Sequence, residues 1–205
     1  MATSFLCGAL ALIVLLASSA AGRADDSVPA NGTGGLELFA AFKRFCVDTG
    51  ASPDAMKAAV EAAGGTFKTQ GDTGDGLVFM TVTSWNYVAD GQYFIISAGT
   101  MRVSAFADQP RKYSRECTIF TSGDVDASVA AIREWVGVPS FSVSNEATGY
   151  YFQVLGSARL RMDPSNDATR TAKSEGRERL LVVIQKPHWA SVQLNAYFYG
   201  ASPTP

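Results

Sequence analysis

The stretch RECTIFTSGDVDASVAAIREWVGVP, residues 115–139, decides the fold. Its first part, Arg115 to Thr121, is β-branched and aromatic and reads as a strand. Ser122-Gly123 is a turn. From Asp124 to Val136 the residues Val125, Val129, Ile132 and Val136 recur at spacings of four, three and four. That puts them on one face of a helix. Asp124 is suited to the N-cap, and Gly137 with Pro139 stops the helix. The strand also carries Cys117, which needs a partner.

The partner follows from the N-terminus. Phe5 to Ala17 is an apolar run without charge, followed by small residues, Gly22-Arg23-Ala24 and the acidic Asp25-Asp26. This is the form of an export signal over residues 1–24, too short for a membrane-spanning helix, which needs about 20 apolar residues. No Lys or Arg precedes the run, so an uncleaved anchor is the rival reading. Cys7 lies too early in the run for a lipoprotein attachment site. Cleavage after Ala24 leaves 181 residues, enough for one domain, and removes one basic residue and no acid, taking the net charge from −2 to −3. That balance excludes an ordinary nucleic-acid binder. Of the three cysteines only Cys46 and Cys117 then remain, and in an oxidising compartment two cysteines pair. The loop of roughly 70 residues so closed corresponds to about 4 kcal/mol in the chain-entropy account.

Outward from the central stretch, residues 25–35 are small and polar and read as a disordered lead. Leu36 to Asp48 has helical spacing, with Leu38, Phe42 and Phe45 on one side, Cys46 inward, and Lys43 and Arg44 outward. Ser52-Pro53-Asp54 opens a second helix, with Met56, Ala59, Val60 and Ala63 as its buried stripe. Then the period becomes two. Residues 71–76 read as a turn and Leu77 to Trp85 as a strand. Tyr93 to Ile96 and Met101 to Phe106 read as hairpin arms around Ala98-Gly99-Thr100, and Tyr150 to Leu155 and Ala158 to Met162 as arms around Gly156-Ser157. Asp163 to Arg179 is a polar loop. Leu180 to Ile184, apolar throughout, reads as a strand covered on both faces, paired through Pro187-His188 with the alternating Ala190 to Tyr199. No internal repeat is visible. The expectation is one α+β domain over residues 36–200 with a short tail at 201–205: a mainly antiparallel sheet, about three helices on one side, and one disulfide.

Chemistry is sparse. The single histidine, His188, must serve any imidazole-dependent site, yet it falls in a turn. No C-x-x-C motif, zinc-type ligand cluster or phosphate loop occurs. Asp72, Asp75 and Gly76 have part of a calcium-loop pattern, but Gly74 stands where a ligand is required. No metal and no cofactor are expected. Glu116, beside Cys117, is the acid nearest the fold's centre and is expected to face solvent on the alternate side. Arg159, Arg161, Arg170, Lys173, Arg177 and Arg179 offer a basic set for an anionic partner, or simply a solvated loop. Trp85, Tyr87, Tyr93 and Phe94, with Tyr197 and Tyr199 on the outer side of the last strand, offer an aromatic surface for a ligand or protein, or ordinary core.

Phe42-x-x-Phe45-Cys46-Val47-x-Thr49-Gly50, the central Trp85 and a later Cys117 ahead of a helix resemble small exported bacterial proteins of unknown function. The resemblance covers about residues 38–136. It implies export and a shared cysteine pair, and no activity. The leading expectation is a periplasmic or secreted, non-catalytic domain that binds an envelope protein or ligand or has a structural role there, with no stable membrane span after cleavage. The alternatives are a hydrolase using carboxylates or His188, and a small-molecule or glycan binder on the aromatic sheet face.

Overall fold

A computed structural model describes residues 37–74, 78–103, 112–162 and 175–199. The stretches expected to be an export signal, a polar lead and a tail lie outside them. Helix α1 (Glu37–Phe42) runs into a π-helical turn (Lys43–Val47), and α2 (Pro53–Ala62) follows. Strands β1 (Thr66–Gly74), β2 (Val78–Ala89), β3 (Gln92–Val103) and β4 (Lys112–Ser122) lead to α3 (Asp126–Val136). Then come β5 (Ser140–Ser142), β6 (Ala147–Leu155), β7 (Ala158–Arg161), β8 (Glu178–Lys186) and β9 (Trp189–Tyr199). All pair antiparallel in one sheet of order β1-β2-β3-β4-β9-β8-β6-β5, with β7 also on β6.

The central stretch folds as its pattern requires. Val125, Val129, Ile132 and Val136 are all buried, and Gly137 closes the helix in the left-handed region at φ 64°. Asp124 stands just ahead of the helix, its Oδ1 accepting from the Asp126 amide at 3.2 Å. Phe42, Phe45 and Cys46 are fully buried while Lys43 and Arg44 are exposed. Burial of each such phenylalanine contributes roughly 1.5–3 kcal/mol. Cys46 and Cys117 form a disulfide with Cα atoms 5.4 Å apart, tying the first helix to the middle of the sheet.

Two turn assignments fail. Residues 71–74 extend β1 along β2 instead of turning. Ala98-Gly99-Thr100 is the interior of one continuous strand, β3, whose pairing with β2 and β4 runs on without a register break, Gly99 being paired on both sides, with Val82 and Glu116. The chain reverses earlier, at Asp90-Gly91, where both residues have positive φ (49° and 78°). Asp-Gly is the dipeptide that a two-residue hairpin turn favours.

Register defines two faces. One carries Cys117, with Trp85, Ile96, Ile119, Leu181, Val192 and Leu194, all in one core with Phe42, Phe45, Met56, Val60 and Ile132 of the helices. Trp135 of α3 meets Phe42 and Phe152 edge-on, at ring centroids of 5.3 and 6.5 Å. Gln185 of β8 donates to Asp126 Oδ1 (2.6 Å) and accepts from Arg133 (3.1 Å). The opposite face carries Glu116. Leu180 to Val183 are buried on both faces, as their apolar run requires.

The strand order contains a repeat that the residues do not advertise. A helix followed by four antiparallel strands occurs twice, as α2 with β1 to β4 and as α3 with β5, β6, β8 and β9. The halves meet where β4 pairs with β9, so their topology is related by a two-fold axis through the sheet centre. The facing central residues, Cys117 with Leu194 and Glu116 with Asn195, are chemically unlike.

Candidate functional site

Beside that axis, on the face opposite the disulfide, successive strands lay out three rows. Ser97, Thr118, Gln193 and Val182 form one; Gly99, Glu116, Asn195 and Leu180 the next; Met101, Ser114 and Tyr197 the third. Continuing the β8–β9 register by one residue sets Glu178 beside Tyr197 and completes the third row. Alternation along β4 and β9 puts polar residues here because the odd positions of β4 and the even positions of β9 are committed to the core.

This surface is polar and yet buried. Ser114 and Asn195 are 1% exposed, Glu178 and Tyr197 3%. Thr118 Oγ1 donates to Glu116 Oε1 at 3.1 Å, and Gln193 also hydrogen-bonds the Glu116 side chain. Burial nonetheless pushes the Glu116 carboxyl above its ordinary range, outweighing those two bonds. Glu116 lies on the expected side and keeps partial exposure, although burial disfavours its charged carboxyl. Tyr151 donates its hydroxyl to Glu178 Oε1 at 2.6 Å. The Tyr197 phenol is raised above its ordinary range, first by burial and then by the nearby charges of Glu178 and Glu116. Three atoms here are buried without a hydrogen-bond partner: Glu178 Oε2, Asn195 Nδ2 and Ser114 Oγ. Leaving such groups unsatisfied costs roughly 1–3 kcal/mol each, so an arrangement that gathers three calls for an explanation.

The aromatic residues named from sequence divide between the faces. Trp85 is in the core at 1% exposure. Tyr87, on the same face, meets Phe45 edge-on at 5.1 Å and Phe94 at 5.9 Å. Tyr93 is on the Glu116 face and donates to Asn86 Oδ1 at 2.5 Å. Tyr197 joins the acids. The Tyr199 backbone pairs with Lys112, but its side chain lies outside the described residues.

The basic residues also divide. Arg159 lies over the Trp135 ring at 4.0 Å. Arg177 bonds Glu175 and Gln153. Arg179 donates to the carbonyls of Gly176 and Glu178, and its charge is disfavoured first by burial and then by Arg115. Arg170 and Lys173 lie outside the described residues. His188 is exposed in the β8–β9 turn, its carbonyl accepting from Gly123, seven residues along β9 from Asn195. Among the described residues no three His, Cys, Asp or Glu side chains gather as metal ligands, and no helix is long and apolar enough to cross a membrane.

Sequence reasoning singled out Glu116 and Tyr197 but passed over Glu178, Asn195, Ser114 and Gln193. The signal for two of these was the polar side of the alternating last strand.

Fold and site define an antiparallel α+β domain stapled by one disulfide, with a buried polar seam on one sheet face. No protein-family model, curated protein or solved structure matches this chain.

Proposed function

We propose that this chain is an exported, non-catalytic domain, periplasmic or secreted, that works by binding, and that its ligand sits on the seam of β4, β9 and β8. One observation carries the reading. Glu178 Oε2, Asn195 Nδ2 and Ser114 Oγ are buried, unpartnered and on adjacent strands, which a bound polar molecule would relieve. The disulfide supports an oxidising compartment. Of the aromatic surface considered from sequence, Tyr197 and Tyr93 belong to this face.

A carboxylate hydrolase is the second reading, favoured by the placing of Glu116 and Glu178 on one face. An acid pair that cleaves a bond needs room between its carboxyls for substrate or water. Tyr197, buried and affected by both acids, stands in that interval, which supports binding over cleavage.

Native mass spectrometry of the mature protein, produced with its own leader, tests the reading. The expected result is a small molecule retained under native conditions, released intact on denaturation, and missing from Asn195→Leu. A molecule retained equally by that variant, or none in the wild type, ends the proposal. Recovery of a cleaved product favours the hydrolase.

A further inference from the structure

We infer that the disulfide face carries a second site, independent of the seam: a row of arginines beside the helices that binds a linear polyanion, a uronic-acid polysaccharide.

The row follows from register. Arg115 of β4 and Arg179 of β8 both pair with Ala196 of β9, and Arg179 and Arg161 of β7 both pair with Phe152 of β6. These five residues therefore share one line across the sheet, on the face of Cys117. Neighbouring strands are about 4.8 Å apart, so the three arginines stand about 10 Å from one another along the line. Two residues further along the strands, Arg102 pairs with Tyr113 and Arg159 with Val154, which adds a cation near each end on the same face. Among the described residues the line holds one acid, Asp72 on β1, three strands from Arg115.

Charge on this line is not balanced by the residues around it. The ion pairs among the described residues are Arg177–Glu175 and Lys186–Glu146, and none involves Arg159, Arg161 or Arg179. Arg161 is exposed. Arg179 gives its Nη1 to the carbonyls of Gly176 and Glu178, which leaves Nε and Nη2, the edge that takes a carboxylate side-on. Its charge is disfavoured first by burial and then by Arg115, and Glu178, on the opposite face, is the lesser and opposing influence. Arg159 is held over Trp135 with its Nε buried and unpartnered. An anion laid along the row counters both the repulsion and the desolvation. Every cation of the cluster is an arginine, whose planar fork matches a carboxylate.

Shape selects a chain. The next line toward the helices, Cys117, Leu194 and Leu181, belongs to the core that the helices share. It lies two residues, about 7 Å, from the arginines along the strands. The row thus runs along the foot of the helical layer, where a thin chain can lie and a flat lipid surface is held off. The chain's net charge of −2 also opposes attachment to a broad anionic surface.

The test is titration of the protein, produced with its own leader, with polygalacturonate, galacturonic acid, neutral dextran and vesicles of phosphatidylglycerol, at low and at raised salt. Polygalacturonate is expected to bind, and to bind more weakly as salt screens the charges. It is expected to bind about a hundredfold more tightly than the single acid, because linked carboxylates engage several arginines together. Arg161→Glu is expected to weaken the polymer about tenfold. Lys57→Glu, the same charge change at an exposed position of α2, and Asn195→Leu on the other face are expected to leave it unchanged. Equal weakening by Lys57→Glu means that the polymer reads net charge, which overturns the row. Galacturonic acid binding as tightly as the polymer leaves an adventitious ion only, and dextran binding as tightly removes the role of charge. Vesicles that bind where the polymer does not, or no binding by any probe, overturn the polysaccharide. The comparison of probes on the wild type needs no variant, and none of these outcomes bears on the seam.

Discussion

Glu116 shows how a single buried position can work against the fold. Its carboxyl is raised by burial, so between the ordinary carboxylate pKa and the raised one the folded chain holds a proton that the unfolded chain has released. Stability from this group is fully present below the ordinary range and falls as pH rises through the raised value. Glu116→Gln removes that loss, so thermal melts are expected to show the variant more stable than wild type at pH 7 and equal to it near pH 3. A variant destabilised at pH 7 means that ionised Glu116 is held by contacts stronger than its desolvation. The Tyr197 phenol is likewise raised, first by burial.

At the scale of elements the disulfide is the strongest single link. It joins the π-helical turn after α1 to the middle of β4 across 71 residues of sequence. Removing it with Cys46→Ala/Cys117→Ala is expected to cost about 4 kcal/mol, read as a shift in the urea midpoint. Most of α1 rests on Phe42 and Phe45 in the same core, so the helix is expected to stay docked and the far-ultraviolet dichroism to change little. Loss of helical signal in the native baseline means that the covalent link, not the apolar contact, holds α1. The same scale explains the hairpin error at residues 98–100. Small residues in a row read as a turn, but here they continue a strand, because β3 is paired on both sides through Gly99.

Among the described residues, the two helix-plus-four-strand halves join in the sheet through one strand pair, β4 with β9, and share the core beneath it. Residues 36–124 expressed alone keep α1, α2, the disulfide and β1 to β4, but expose the long edge of β4. An exposed edge of this length seeks a partner, and the arrangement of the halves supplies one: a second copy, with β4 against β4 about a true two-fold axis. Size-exclusion chromatography with light scattering is expected to give twice the fragment mass. A folded monomer contradicts the expectation, and so does an unfolded chain.

The residues alone determined what depends on local pattern. The α3 stripe from Val125 to Val136, the inward turn of Phe45 and Cys46, the double-sided burial of Leu180 to Val183 and the alternation of β9 are all set by period and side-chain type, and the cysteine pair by elimination. Only the tertiary structure decided which strands are neighbours. Glu116, Asn195 and Glu178 are separated by more than sixty residues from β4 to β8 and lie on three different strands, and nothing in their local surroundings marks them as a set. They come together because β9 inserts between β4 and β8, and pairing order is fixed by long-range hydrogen bonding and core burial, which leave no local periodic trace.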